Sequence, residues 1–386
     1  MTTTAIEERA VREGDVLWTP SPERVAAARL TEFAARLGFA GDDDALWRWS
    51  VDDPGAFWSA AWKALGVVGE RGDGPALAAR RMPGAVWFPT ARLNYAEQAL
   101  AAGEAHEVAL VAVGEDRAAE TISRAQLREA VAAAAAGLRA LGVRRGDRVA
   151  ALLPNCPEAI VGLLAAASLG AIWCSCSPDF GAAGAADRFG QVEPVVLLAC
   201  DGYRYAGRAH DRRGVVGELR RALPSLRHTV VVPRLDEGAR LDGALYWREL
   251  LEAGAGGAAP ERVAFDHPLW VLFSSGTTGP PKALVHGHGG IVLEHLKQLT
   301  LHLDVHPGDR LLWFTTTGWM MWNLQASALL CGASPVLYDG SPGHPGPEAL
   351  WRAAADTGTT LLGTSPAHLE ACRAAGVDPR ALRGDA

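Results

Sequence analysis

The sequence predicts an α/β fold in which helices cover both faces of a parallel sheet, preceded by a helical N-terminal region. Three observations carry this expectation. From Glu107 onward, apolar runs of strand length alternate with stretches of helical periodicity. The first hundred residues are instead rich in aromatic residues at helical spacing. Finally, the apolar run 269–273 opens into the loop SSGTTGPPK, as a sheet strand does when its end holds a ligand.

The N-terminal expectation rests on two segments. Residues 29–39 (RLTEFAARLGF) repeat apolar side chains at helical spacing, and residues 53–66 place Pro54 in a first turn and stop at Gly66. Residues 88–100 continue the aromatic-rich pattern, which reads as packing. The alternation then begins with a strand over 107–114. Ser123 with Gln126 three residues later forms a capping box, opening a helix that runs to Leu141 and closes at Gly142. Residues 146–154 read as a strand, 157–169 as a helix ended by Gly170, and 171–177 as a strand. A Gly-rich turn and short helix over 177–194 lead to a strand at 195–200, with another at 226–232. The loop AGAGGAAP (253–260) divides the chain into two halves. Beyond the phosphate-type loop the pattern predicts helices over 291–303, 319–330, 347–357 and 366–375, and strands over 310–316, 334–339 and 359–364.

Composition narrows the function classes. A chain of 386 residues has room for two or three domain-sized units, and its net charge of −7 argues against a general nucleic-acid binder. The start, MTTTAIEERAVREGD, lacks the apolar core of a secretory signal, so a soluble, cytoplasmic protein is expected. Residues 159–178 carry no charge and are long enough to span a bilayer. They contain Gly162, Gly170 and three serines and divide into a helix and a strand, so they read as buried core and no membrane insertion is expected. The six cysteines are scattered without a C-x-x-C pair and read as buried free thiols.

The loop after Phe273 is the strongest chemical signal. Gly276 and Gly279 permit backbone conformations that let successive N–H groups converge on an anion. Ser274, Ser275, Thr277 and Thr278 add hydroxyls, and Lys282 adds a positive charge. The loop is not a Walker loop, because Pro281 and Ala283 flank the lysine where that motif needs Gly and Ser or Thr. A plain flexible linker would not be bounded by WVLF on one side and ALVH on the other. His286, His288, His295, His302 and His306 fall close together, but no carboxylate or cysteine completes a metal-ligand pattern among them, and the metal ligands stay unassigned.

SSGTTGPPK resembles the phosphate-loop signature of the acyl-adenylate-forming superfamily. The stretches VHGHGGIVLEHLKQL, WFTTTGWMMWN and LYDGSP are similar in particular to the acetoacetyl-CoA synthetase family. The resemblance implies the large N-terminal domain of that fold, with stacked mixed and parallel sheets covered by helices. It divides the chain into an N-terminal cap of acetyl/acetoacetyl-CoA synthetase type over 1–100 and an AMP-binding domain over 101–386. It implies ATP, Mg²⁺ and coenzyme A as reactants and cofactors and acetoacetate as the acid, with acetate, propionate or another short acid as the alternative within the class. Carried onto this sequence, the phosphate role falls on Ser274, Ser275, Gly276, Thr277, Thr278, Gly279 and Lys282, with Lys282 also catalytic. Arg188 becomes a candidate contact to a CoA phosphate, against the plain reading of a solvated helix charge. Trp319 becomes a candidate wall of the acyl pocket, where helix packing is the competing reading. A histidine, at position 286 or 288, falls beside the nucleotide. The family's Tyr-Gly-x-Thr-Glu-like segment, its ribose-binding Asp and its C-terminal Lys have no counterpart before LRGDA. An N-terminal portion incomplete for turnover is therefore expected, with a folded but non-catalytic nucleotide-binding remnant as the alternative.

Overall fold

The computed structural model describes residues 12–238, 240–254, 259–274 and 279–382. The N-terminal region carries helices α1 (Pro22–Ala27), α2 (Arg29–Arg36), α3 (Asp43–Asp52) and α4 (Pro54–Ala64). Short strands β1 (Gly69–Glu70), β2 (Leu77–Ala79), β3 (Val86–Trp87) and β4 (Arg92–Leu93) follow, and then α5 (Tyr95–Ala101). Ser21, Asp42 and Asp53 each accept a backbone N–H three residues on and so open α1, α3 and α4. Asn94 opens α5: its side chain caps the N–H of Ala96 and donates to the carbonyls of Ala167 and Glu261, which fixes an extended residue at the helix start.

Two sheets follow where the alternation pointed to one. The first contains β7 (Arg148–Leu152), β8 (Ile172–Cys176), β9 (Val196–Cys200), β12 (His228–Val232), β13 (Leu245–Tyr246), β15 (Pro268–Ser274) and β16 (Lys282–Gly287), in the order β13-β12-β9-β7-β8-β15-β16. All neighbours are parallel except β15 and β16, an antiparallel hairpin closed by the loop SSGTTGPPK. The second sheet, β19-β17-β18-β5-β6, is built from β5 (Val108–Gly114), β6 (Arg117–Ser123), β17 (Arg310–Trp313), β18 (Ser334–Asp339) and β19 (Leu361–Gly363). Only the β5–β6 pair is antiparallel. Both antiparallel edge strands escaped the sequence reading, because 117–123 is largely exposed and Lys282–Gly287 alternates poorly.

The layers follow from which side chains share a core. Along β7, Val149 and Ala151 face inward, to α6 (Arg124–Ala140), α7 (Pro157–Ser168) and α5, whereas Ala150 and Leu152 face α8 (Ala182–Val192) and α9 (Arg213–Ala222). Strands buried on both faces read as continuous apolar runs, which is why this sheet was legible in the sequence. Leu110 and Leu337 of the second sheet join the same central core, while Val111 and Val336 pack outward on α13 (Ala349–Asp356). The result is helix, sheet, helix, sheet, helix. The uncharged stretch 159–178 is α7 and β8 at the centre of this stack, and among the described residues no helix is long and apolar enough to cross a membrane.

The remaining elements are the hairpin β10 (Gly202–Tyr205) and β11 (Arg208–Asp211), α10 (Trp247–Glu252), β14 (Val263–Ala264), α11 (His288–Lys297), α12 (Met320–Ala326) and α14 (Pro366–Ala374). Two expected helices change character. The helix over 291–303 starts earlier, at His288, and passes into a π-turn over Gln298–His302. The one over 319–330 tightens into a 3₁₀ segment at Ser327–Cys331, where the Ser327 hydroxyl donates to the carbonyl of Asn323.

Candidate active site

In the first sheet β7 lies between β8 and β9, so the chain order reverses beside β7. Ligands of open α/β sheets bind beyond the carboxyl ends of strands at such a reversal. A cavity of about 300 Å³ occurs there. Asn155 lines it beyond β7, Ser177 and Asp179 beyond β8, and Tyr203–Tyr205 of the hairpin beyond β9. From the second sheet come Thr315 and Thr316 beyond β17, and Asp339 and Gly340 at the end of β18. The strand ends of both sheets therefore meet at one cavity.

Buried hydrogen bonds fix this junction. The Trp322 indole N–H donates to Asn155 Oδ1 at 3.0 Å, and the Asn155 amide donates to Gln325 Oε1 at 3.3 Å. Gln325 in turn donates to the carbonyl of Val336 at 2.6 Å. The Thr317 hydroxyl donates to the carbonyl of Leu153, and the Ser175 hydroxyl to that of Thr317, each at 2.7 Å. Behind the cavity-lining Asp339, Arg234 pairs with its carboxylate at 3.0 Å and lies 3.6 Å from Glu158. Burial pushes the carboxyl of Asp339 upward in pKa, against the opposing pull of Arg234. Asp201 accepts backbone N–H groups from Arg234, Leu235 and Asp236 and so anchors the loop carrying that arginine.

Of the residues singled out in the sequence, Ser275, Gly276, Thr277 and Thr278 lie outside the described residues. Their flanks are placed. Ser274 ends β15 and pairs in register with Lys282, the exposed first residue of β16, and Gly279 has φ of +90° with open space around it. The loop thus leaves the same end of the sheet as the cavity, one strand beyond β8, and Gln191 of α8 donates to the carbonyl of Pro281. Arg188 stacks on Phe180, with its guanidinium carbon 4.5 Å from the ring centre, and donates to the carbonyl of Gly184 on its own helix. Trp319 caps the start of α12, is 67% exposed and is absent from the cavity lining. Gly318 beside it lies near Ser177, a cavity-lining residue, and near Phe180, on which Arg188 stacks. Asn155, Tyr203, Tyr205 and Asp339 were missed in the sequence. Asn155 and Asp339 stand at the ends of expected strands, and that position was the available signal. The hairpin gave none.

The histidines do not form a metal site: among the described residues no three His, Cys, Asp or Glu side chains converge. His286, at the end of β16, accepts the Trp270 indole N–H at 3.0 Å. His288 is fully buried and accepts the backbone N–H of Tyr95, so it sits inside the core. His295 meets Ser327 Oγ at 2.7 Å. Because Ser327 gives its one proton to Asn323, both Tyr95 and His295 donate to it, which makes His295 the neutral Nδ1–H tautomer. Burial, aided by neighbouring histidines, pushes His288 and His295 down to about 3. Both stay neutral in the folded chain while the unfolded chain protonates below its ordinary value, so stability falls as pH drops below about 6.5. Between about pH 7 and about pH 5 each histidine is expected to remove up to about 2 kcal/mol. Urea midpoints at the two pH values check this. His295→Asn, whose amide can keep the bond to Ser327, should flatten the dependence; an unchanged slope would contradict the assignment.

With this geometry in view, comparison with known families is decisive. The model for "AMP-binding enzyme" matches residues 97–384. The chain belongs to the AMP-binding enzyme family. A second model, "Acetyl-coenzyme A synthetase N-terminus", matches residues 43–99. Among curated members, the chain is 43% identical over 374 residues to acetoacetyl-coenzyme A synthetase of Rhizobium meliloti (strain 1021), covering 94% of this chain and 57% of the relative. It is 39% identical over 329 residues to a malonamoyl-CoA synthetase of Penicillium aethiopicum, covering 81% of this chain and 45% of that protein. Its fold matches a solved acetoacetyl-CoA synthetase from Streptomyces lividans with a TM-score of 0.90 and 53% identity, over 94% of this chain and 57% of that one. The chain thus spans about half the length of these AMP-binding relatives.

Proposed function

We propose that this chain forms the cap and the phosphate- and acid-binding part of an AMP-forming acid–CoA ligase acting on acetoacetate. The cap covers residues 1–100 and the AMP-binding portion 101–386, in a cytoplasmic protein. In the reaction, a carboxylate oxygen of the acid attacks the α-phosphorus of ATP and pyrophosphate departs with the electrons of the broken P–O bond. The thiol of coenzyme A then attacks the acyl-adenylate carbonyl; AMP leaves and the thiol proton passes to solvent. Neither step needs a protein nucleophile. What the first step needs is neutralisation of charge on the phosphates, by groups fixed in advance. Ser274, Ser275, Thr277, Thr278, the backbone around Gly276 and Gly279, and Lys282 take that role. Arg188 meets a CoA phosphate and Trp319 borders the acid. The described residues offer no cluster of ligands for a divalent cation, so no side chain is assigned to hold Mg²⁺ and no step is routed through it.

The observation that supports this reading best is a coincidence of position: the SSGTTGPPK hairpin and the cavity share the carboxyl end of one sheet, with only β8 between β7 and β15. Acetoacetate is favoured as the acid by the names of the Rhizobium and Streptomyces relatives. The Penicillium relative, named for malonamate, favours a second reading in which another short acid with a β-carbonyl is the substrate. ATP–pyrophosphate exchange by the full-length gene product, with acetoacetate, malonamate, acetate and propionate compared, tests both. The fastest exchange is expected with acetoacetate. Faster exchange with acetate or propionate would reject the β-carbonyl acids, and exchange with no acid would favour a non-catalytic nucleotide-binding module.

A further inference from the structure

The two-residue turn Glu115–Asp116 joins β5 to β6 in the second sheet, yet both of its side chains and that of Arg117, the first residue of β6, hold excursions of the first. Glu115 Oε2 accepts the backbone N–H of Ala206 at 3.1 Å and that of Ser341 at 3.0 Å, while Oε1 accepts the N–H of Gly207 at 3.0 Å. Asp116 pairs with Arg204 at 2.8 Å. Arg117 donates to the carbonyl of Arg234 at 2.8 Å. Ala206 and Gly207 form the tip of the β10–β11 hairpin and have φ of +51° and +74°. Two consecutive residues with positive φ turn a hairpin tightly, and here both of their N–H groups are presented to one carboxylate.

This hairpin is a two-stranded ribbon outside both large sheets. A ribbon of that kind is barely stable alone. Its residues Tyr203, Arg204 and Tyr205 nevertheless form a wall of the cavity. The ribbon follows β9, whereas the phosphate loop follows β15, three strand spacings away in the order β9-β7-β8-β15. At the usual spacing between strands that separation is about 14 Å. The wall and the phosphate loop therefore serve different parts of the site.

We propose that Glu115 is a positioning residue: it latches the β10–β11 hairpin against the end of the second sheet, and so shapes the cavity for the thiol substrate, coenzyme A, without acting on ATP. The assignment of the cavity to coenzyme A rests on the function proposed above. The latch itself does not.

Two measurements on the full-length gene product separate them. Amide hydrogen exchange without ligand reads the latch. Glu115→Ala is expected to speed exchange at Ala206, Gly207 and Ser341 by about tenfold or more, the usual scale for losing charge-assisted hydrogen bonds. Glu115→Gln, which keeps one acceptor oxygen, should fall between. Binding of coenzyme A and of ATP, each measured alone, reads the consequence. Glu115→Ala should weaken coenzyme A about tenfold and leave ATP and the unfolding temperature unchanged. Unchanged exchange at the three amides would overturn the latch. Faster exchange with coenzyme A affinity intact, or with both ligands weakened and unfolding lowered together, would overturn the positioning role. Wild-type protein that binds no coenzyme A would reject the reading of the cavity, while the exchange result would still decide the latch.

Discussion

Lys282→Ala is expected to weaken ATP binding by about tenfold to a hundredfold, the range for losing one charged contact to phosphate. Lys282 is the first residue of β16, directly across from Ser274, so its position is set by the register of the hairpin and does not depend on a long flexible segment. Its ammonium makes no hydrogen bond or ion pair among the described residues, and the side chain is exposed. The substitution should therefore leave the unfolding free energy, read by urea denaturation, within the usual surface range of about 0.5 kcal/mol. Lys282→Arg should recover part of the affinity, because it restores the charge with a different fork of donors. Calorimetric titration of ATP into the wild-type and variant full-length proteins checks this. Equal affinities would remove Lys282 from the phosphate site.

Trp322→Ala should bring the largest loss of stability of any single change at the site, about 3–5 kcal/mol. The indole is fully buried and stacks on Trp173, with ring centres 6.4 Å apart. It also donates to Asn155, which in turn reaches Gln325 and through it the carbonyl of Val336 in β18. Truncation would leave a large cavity between the two sheets and strip Asn155 Oδ1 of its donor. Trp322→Phe separates these effects: it keeps most of the volume and loses the hydrogen bond, at an expected cost of about 1–3 kcal/mol. Chemical denaturation of the three proteins gives both numbers. If alanine cost less than 1 kcal/mol, the description of Trp322 as the joint between the sheets would fail.

These residues also mark how far the sequence could be read. Buried strands such as Ile172–Cys176 and Ser334–Asp339 were legible because a strand covered on both faces is continuously apolar. The cap of α6 was legible because Ser123 and Gln126 act locally, and both halves of that capping box are present. What escaped depends on contacts far apart in the chain. The split into two sheets is invisible in the alternation, since both sheets use the same strand–helix rhythm. Arg117–Ser123 pairs on one edge only and leaves its residues exposed, so its composition resembles a loop. The start of α5 at Asn94 likewise draws on distant partners, since its amide is engaged with residues 73 and 167 positions away.

The candidate site divides along the same line. The proposed phosphate loop announces itself, because its glycines, hydroxyls and lysine are contiguous in the chain, as a cradle for an anion can be. The cavity does not, because Asn155, Tyr203, Thr316 and Asp339 come from four separate strand ends. His286 and His288 looked equivalent in sequence. The fold separates them, one at the end of an edge strand and one sealed under Tyr95.

The most direct test is a crystal structure of the full-length gene product with coenzyme A and a hydrolysis-resistant acetoacetyl-adenylate mimic. The phosphate of the mimic is predicted within hydrogen-bonding reach of the SSGTTGPPK loop. The thiol arm of coenzyme A is predicted in the cavity between Asn155, Ser177, Thr316 and Gly340. Both ligands bound elsewhere, with that cavity empty and the loop without contact to phosphate, would contradict a reaction site built where the strand ends of the two sheets meet.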